Sequence, residues 1–231
     1  MTTSIVDNGN ATAITIGSDE SVAIGGSVSI SHASGDSLTL TKTTTEPSLR
    51  LEGDSNKDFV ITVSGELLTI TQNDGGTDIL TLDHDTGAVK KPLQPAFSAV
   101  PASQQDNIAP GSGDITVVFG TEIFDQGGNF VSSTFTAPVT GRYQLQCALR
   151  LEAVDIDAAF YQAKIITGNR PYIFTLDPRA FDQDPAYHTV SLSVLADMDA
   201  SDTAIVTINQ SGGAAQTDID TESYFSGYLV A

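Results

Sequence analysis

Aromatic side chains are shared out unevenly along this chain, and that distribution limits what each part can fold into. Of the 10 Phe and 6 Tyr in 231 residues, only Phe59 lies before residue 93. Large aromatics each bury roughly 150–250 Å² and dominate core energetics, so residues 93–231 can build a conventional core and residues 1–92 cannot. The boundary falls at Lys90-Lys91-Pro92-Leu93-Gln94-Pro95, where two prolines interrupt any sheet ladder and mark a short linker. Two domains are therefore expected, 1–92 and 93–231.

Residues 1–92 read as a succession of very short strands. Period-2 apolar pairs recur at Ile14/Ile16, Val22/Ile24, Val28/Ile30, Leu38/Leu40, Leu49/Leu51, Ile61/Val63, Leu68/Ile70 and Leu80/Leu82. Between them lie turn signals such as Asn8-Gly9, Gly25-Gly26, Ser34-Gly35-Asp36, Gly53-Asp54, Ser64-Gly65, Asp74-Gly75-Gly76 and Asp85-Thr86-Gly87. Strands offering two or three aliphatic side chains each cannot cover a core alone. Stacking of neighbouring repeats, or wrapping of several copies about one axis, would solve that; a small monomeric sandwich is the alternative.

From Ala96 onward the apolar runs lengthen. Asp114–Phe124, Phe130–Ala137, Arg142–Ala153, Ala159–Thr167, His188–Ala196, Thr203–Gln210 and Ser223–Val230 read as strands bounded by Gly, Pro, Asp and Asn. Tyr143, Leu145, Cys147, Leu149 and Leu151 alternate with polar residues, giving one inward face. Asp155–Thr167 also fits a helical stripe, but Phe160, Tyr161, Ile165, Ile166 and Thr167 favour a strand. Seven or more such strands predict a sandwich or jelly roll, so the chain as a whole is expected to be all-β.

Charge and cysteine usage exclude several functions. With 29 acidic and 10 basic residues, the formal charge is −19. No Lys/Arg cluster is present to neutralise phosphates, so nucleic acid and anionic membrane are poor partners. A single Cys147 excludes an intrachain disulfide and every CxxC-type metal or redox site. No apolar run approaches the ~18 residues of a membrane span, and MTTSIVDNGN lacks the character of a signal peptide. Synthesis in a cytoplasm without Sec-type export is the expectation.

Catalytic candidates are sparse. The histidines are His32, His84 and His188, there is no Gly-x-Ser-x-Gly elbow, and His188 reads as a satisfied strand-end residue. Cys147 reads as a buried small hydrophobe, and 29 scattered acids do not identify a glycosidase pair. Calcium is the more specific candidate ligand. Asp-x-Asp pairs occur at Asp83/Asp85, Asp155/Asp157, Asp182/Asp184, Asp197/Asp199 and Asp218/Asp220, and hard oxygen donors in loops suit Ca²⁺. Asp is also favoured in turns for its own hydrogen bonding, which accounts for the same pattern as an acidic rim. Asn10-Ala11-Thr12 and Asn209-Gln210-Ser211 match glycosylation sequons, which without a secretion route carry no meaning.

Four islands in the last 135 or so positions resemble the C1q-like, tumour-necrosis-factor-related jelly roll. They are Pro95-Ala96-Phe97-Ser98-Ala99; Phe130 to Tyr143, with Phe130, Phe135, Pro138, Gly141 and Tyr143 at the family's spacing; His188–Leu195 followed by the acidic turn Asp197–Asp202; and Tyr224-Phe225-Ser226-Gly227-Tyr228-Leu229. The resemblance implies a homotrimer, and related trimers often bind calcium near the axis, which makes Asp197, Asp199, Asp218 and Asp220 the candidate ligands. Pro138 and Gly141 would form a tight corner, with Gly permitting φ > 0, bracketed by Phe135 and Tyr143. Gly227 would allow the close approach needed where three subunits meet.

The collagen repeat of animal members is absent. Leu82-Asp83-His84-Asp85-Thr86-Gly87-Ala88-Val89 instead resembles the repeats of bacteriophage tail-fibre and appendage proteins. That resemblance implies a non-enzymatic virion fibre, tail or head, attached through its N-terminal region to other virion proteins and released by lysis. Its knob would contact a host cell-surface glycan or protein, with Tyr172, Phe181 and Tyr187 as candidate contacts. A purely structural head fibre, decoration or adaptor trimer is the alternative.

Overall fold

The computed structural model describes residues 48–51, 59–72 and 77–231, of which 48–231 belong to one compact unit. The expected pairs Ile14/Ile16, Val22/Ile24, Val28/Ile30 and Leu38/Leu40 lie outside the described residues, with His32 and the sequon at Asn10. The turns expected at residues 8–9, 25–26, 34–36, 53–54 and 74–76 also lie outside them. Among the described residues there is no α-helix; one 3-10 turn occurs at Pro178–Ala180.

The first strands form an antiparallel sheet in chain order: β1 (Ser48–Leu51), β2 (Phe59–Ser64), β3 (Leu67–Gln72), β4 (Asp78–Asp83) and β5 (Val89–Lys90). Period-2 patterning sets its register. Leu49, Ile61, Ile70 and Leu80 stand opposite one another in one row, and Val63, Leu68, Leu82 and Val89 in a second. Thr62, Thr69, Thr81 and Lys90 make the equivalent row on the other face. The β4–β5 turn closes through Asp83, whose carboxylate accepts the Thr86 N–H at 2.9 Å; that bond holds the Asp83 pKa below its ordinary value.

Beyond the Lys91–Pro95 linker lie β6 (Ala96–Val100), β7 (Gln105–Ile108), β8 (Ile115–Thr116), β9 (Thr121–Gln126), β10 (Phe130–Val131), β11 (Thr134–Thr136) and β12 (Gly141–Glu152). They are followed by β13 (Ala158–Thr167), β14 (Pro171–Leu176), β15 (Tyr187–Met198), β16 (Thr203–Gly212), β17 (Thr217–Ile219) and β18 (Tyr224–Leu229). One sheet runs β9-β6-β18-β12, with β15 on the far side of β12 and β17-β7 continuing at its end. The other runs β10-β11-β16-β13-β14, with β8 also on β16. The chain passes between the sheets at β7–β8, β8–β9, β9–β10, β11–β12, β12–β13, β14–β15, β15–β16 and β16–β17, which makes a jelly-roll sandwich.

Aromatic side chains fill the space between the sheets. Phe97 stacks on Phe130 at 4.8 Å and on Phe135 at 4.7 Å, and meets Phe225 edge-on at 5.0 Å. Phe135 also contacts Tyr143 at 5.4 Å. Tyr143 is fully buried, and its hydroxyl donates to the Val139 carbonyl at 2.7 Å, satisfying the one polar atom it brings inside.

Several strand expectations require correction. Asp114–Phe124 is two strands in different sheets, because Val117 and Phe119 turn inward as the chain crosses the sandwich edge. Phe130–Ala137 is a hairpin: Ser132 (φ 50°) and Ser133 (φ 63°) both adopt left-handed backbone, and the buried Ser133 hydroxyl accepts the Phe119 N–H at 2.8 Å. The short strands β7, β14 and β17 had no expectation; β14 starts at Pro171 on a sheet edge, where a missing N–H costs nothing. Asp155–Asp157 is a turn, not strand or helix, and the strand begins at Ala158.

The two signature glycines are both needed for room within the chain. Gly141 does not have positive φ; a Cβ there would sit 2.7 Å from the Ala231 carbonyl oxygen. Gly227 is required inside the chain itself, where a Cβ would come within 2.6 Å of Leu145 and 2.9 Å of both Phe97 and the Gln144 carbonyl. Pro138 opens the bend at residues 138–140 that leads into β12.

Candidate functional site

Strand alternation gives the β15-β12-β18-β6-β9 sheet an outer face with little charge across its middle. On β12 that face carries Gln144, Gln146 and Ala148. Opposite them stand Leu195, Ser193 and Ser191 of β15, and Tyr228, Ser226 and Tyr224 of β18. Farther across, Ser98 of β6 stands opposite Phe124 of β9. Leu195 is 54%, Tyr228 53% and Phe124 52% exposed, so three large apolar groups stand in solvent on a floor of serines, alanine and glutamines.

Side-chain bonds tie the strands of the floor together. Gln144 donates to the Ser193 hydroxyl at 2.8 Å and Gln146 to the Ser226 hydroxyl at 3.1 Å, which ties β12 to both neighbours. The glutamines are thereby partly satisfied and cheap to desolvate, while the tyrosines offer area with few rotamers to freeze. Such a surface suits protein contact.

Charges gather at the two ends of the face. At one end the Arg150 guanidinium lies 4.3 Å from the centre of the Tyr187 ring and is bonded to Glu222, with Asp220 at 4.0 Å. Those contacts, Glu222 first, raise the Arg150 pKa further. Glu152 lies against Asp220, and the hydrogen bond between the two carboxyls raises the Glu152 pKa. Asp220 is lowered chiefly by the Glu222 N–H, which it accepts at 2.7 Å. At the other end Arg170 donates to Asp197 at 2.7 Å, with the Tyr172 hydroxyl at 3.5 Å.

The candidate calcium ligands do not converge. Asp197 is engaged by Arg170; the Asp199 N–H donates to Asp202; Asp218 accepts the Asn107 N–H at 2.7 Å and the Gln104 amide at 3.1 Å; Asp220 is held as above. Among the described residues no group of three or more His, Cys, Asp or Glu is arranged to hold a metal. The Asp197, Asp218 and Asp220 carboxylates are thus each engaged by N–H donors or a guanidinium. Asp155 does structural work: it is buried and accepts the Ala214, Ala215 and Asp157 N–H groups at 2.7, 2.8 and 2.8 Å. Those bonds, Ala215 first, outweigh desolvation and hold its pKa below the ordinary value.

The other sequence candidates are also occupied. Burial pushes the Cys147 thiol up to about 12, so it stays protonated at neutral pH. His188 is half-buried with its ring 5.1 Å from that of Phe181. Of the candidate receptor contacts, Phe181 therefore packs on His188, Tyr187 lies under Arg150 and Tyr172 packs against the core. Sequence reasoning missed the outer face. Its signal was present in the alternation of Tyr224, Ser226 and Tyr228, but only pairing with β12 shows those residues to be coplanar with Gln144 and Leu195. Among the described residues no helix is long and apolar enough to cross a membrane.

A family model described as the C1q domain matches residues 96–230. Among solved structures, the chain is similar to the globular domain of zebrafish complement 1qA protein (17% identity, 60% of this chain and 98% of that one, TM-score 0.41). It is also similar to murine APRIL (12% identity, 59% and 99%, TM-score 0.43). No curated protein matches.

Proposed function

Through residues 96–230 the chain belongs to the C1q domain family, whose members commonly trimerise, and from that premise we propose that it is a non-enzymatic, homotrimeric virion fibre whose knob attaches to a host surface. The observation that carries the trimer is the outer face, with Leu195, Tyr228 and Phe124 more than half exposed on a nearly uncharged floor. Stable interfaces bury roughly 800 Å² per partner around aromatic anchors, and this face supplies such anchors along five adjacent strands.

Residues 1–92 serve as the stalk and virion-attachment region, and residues 93–231 as the knob. Host attachment would work by avidity: three weak sites per knob, multiplied over many fibres, give useful binding without any tight single contact. A purely structural head fibre, decoration or adaptor is the second reading. What favours it is that Tyr172, Phe181 and Tyr187 are each engaged within the chain.

Light scattering tests the trimer: the expected mass is three times 24.2 kDa, and a mass near 24.2 kDa refutes it. Purified trimer should then bind host cells and compete with particle adsorption. A trimer that does neither leaves the structural reading standing and removes the receptor-binding one.

A further inference from the structure

The β1–β5 sheet has one apolar face that nothing in the described chain buries. Its two rows, Leu49-Ile61-Ile70-Leu80 and Val63-Leu68-Leu82-Val89, are aliphatic from end to end, and Leu51 and Phe59 pair beyond them. Val89 is 59%, Leu51 53% and Phe59 48% exposed, and even on the central strand Leu68 and Ile70 are only partly buried. The opposite face carries the threonine row, of which Thr81 is buried and Thr62 and Thr69 are partly buried, so it is the aliphatic face that is left open. A sheet this amphipathic is stable only when its apolar face is covered.

We propose that the cover is the same face of two further copies of this chain: three β1–β5 sheets form the sides of a triangular prism with their aliphatic rows on its axis. The inference rests on the trimeric reading of the knob and extends it to a second, separate interface.

Two observations select this occupant. Only Lys91–Pro95 separates β5 from β6, a reach of at most ~17 Å. That linker is pinned to the knob by Gln126, which donates to the Lys91 and Gln94 carbonyls at 3.0 and 2.6 Å, and by Gln94, which donates to the Leu229 carbonyl at 2.5 Å. A knob trimer therefore holds three sheets together at an effective concentration of order mM.

The second observation is dimensional. Five strands at ~4.8 Å spacing make a side ~19 Å wide, which puts the centre of each side ~5.5 Å from a three-fold axis. Half the ~10 Å spacing of packed sheets is ~5 Å, so aliphatic side chains from β3, the central strand, meet at the axis without a void. Rings would overfill that space, and the one ring on this face, Phe59, lies on β2 at the end of the sheet.

Cysteine cross-linking of the full chain tests the arrangement, because the native Cys147 is buried and stays silent. Ile70→Cys should give covalent pairs on oxidation, limited to two-thirds of the chains because three axial thiols form one disulfide. Thr69→Cys, one residue away on the outward face, should cross-link less than a tenth as much; Leu68→Cys repeats the axial test should Ile70→Cys assemble poorly. A protein of trimeric mass in which axial and outward cysteines cross-link equally, or neither does, overturns the prism and leaves the knob trimer intact. Pairing of nearly all axial cysteines also overturns it, because two sheets would then face each other. A wild-type mass near 24.2 kDa removes the trimeric reading itself.

Discussion

Phe97 touches Phe130, Phe135 and Phe225, so three of the strands that close the jelly roll depend on one ring. Phe97→Ala should cost about 3–5 kcal/mol, read as a shift in the urea midpoint with little change in slope. Leu93, 44% exposed on the linker, makes a control that should change stability by less than about 0.5 kcal/mol. Asp155 should behave as an acid-sensitive fastener. Its folded pKa lies below the ordinary 3.8, so its contribution is complete above that value and is lost as pH falls through the folded one. Asp155→Asn should lose about 1–3 kcal/mol at pH 7 and show a flatter decline in stability below about pH 4, measured by denaturant titration at several pH values. Cys147 should resist alkylation at pH 8 until the protein unfolds, and fast labelling of the native chain would contradict its burial.

Among the elements, the β10–β11 hairpin turns on Ser132-Ser133 with both residues left-handed, a geometry that Asn-Gly adopts at lower cost. Ser132→Asn should stabilise by a few tenths of a kcal/mol up to about 1 kcal/mol, while Ser133→Gly should destabilise, because the Ser133 hydroxyl holds the Phe119 N–H. Opposite signs from neighbouring substitutions, measured by thermal melting, would separate backbone conformation from the hydrogen bond. The hairpin also shows what the sequence could not convey: Phe130–Ala137 alternates like a strand, and nothing in Ser-Ser announces a reversal. Likewise, Asp114–Phe124 is uniformly β-prone, and only the sandwich edge explains why it divides at Val117–Gly120. The long strands β12, β13, β15 and β16 were legible because their alternation persists over ten or more residues and a slip would turn every apolar side chain outward. The aromatic signature could be read for the same reason: Phe97, Phe130, Phe135, Tyr143 and Phe225 converge on one core. The outer face was not legible, since its members come from separate strands and acquire meaning only by coplanarity.

For the whole molecule, the trimer proposed above must overcome charge. Three copies at −19 each carry −57, while the middle of the outer face is almost neutral, so repulsion acts between the rims. The trimer should therefore tighten with ionic strength up to a few hundred millimolar, in which range the Debye length falls below ~8 Å. Sedimentation at several salt concentrations measures this, and a trimer that loosens with salt would mean that opposite charges hold it together. Tyr228→Asp, placing a carboxylate in the centre of the face, should raise the dissociation constant at least 30-fold, the effect of a hot-spot loss of about 2 kcal/mol. Removal of residues 1–92 should leave a folded knob of trimeric mass, and aggregation of that fragment would place the domain boundary elsewhere.

The path of the backbone through the knob gives it a mechanical character. The linker feeds directly into β6, which lies between β18 and β9 in the sheet, with Gln94 and Gln126 fastening its start. Tension drawn from the N-terminal side, against a knob held by its surface, runs along β6 and loads both flanking ladders in shear. Their hydrogen bonds must then fail together instead of peeling one at a time. In a fibre of the kind proposed above, a tether anchored this way should yield at its stalk or at its grip on a surface before the sandwich opens.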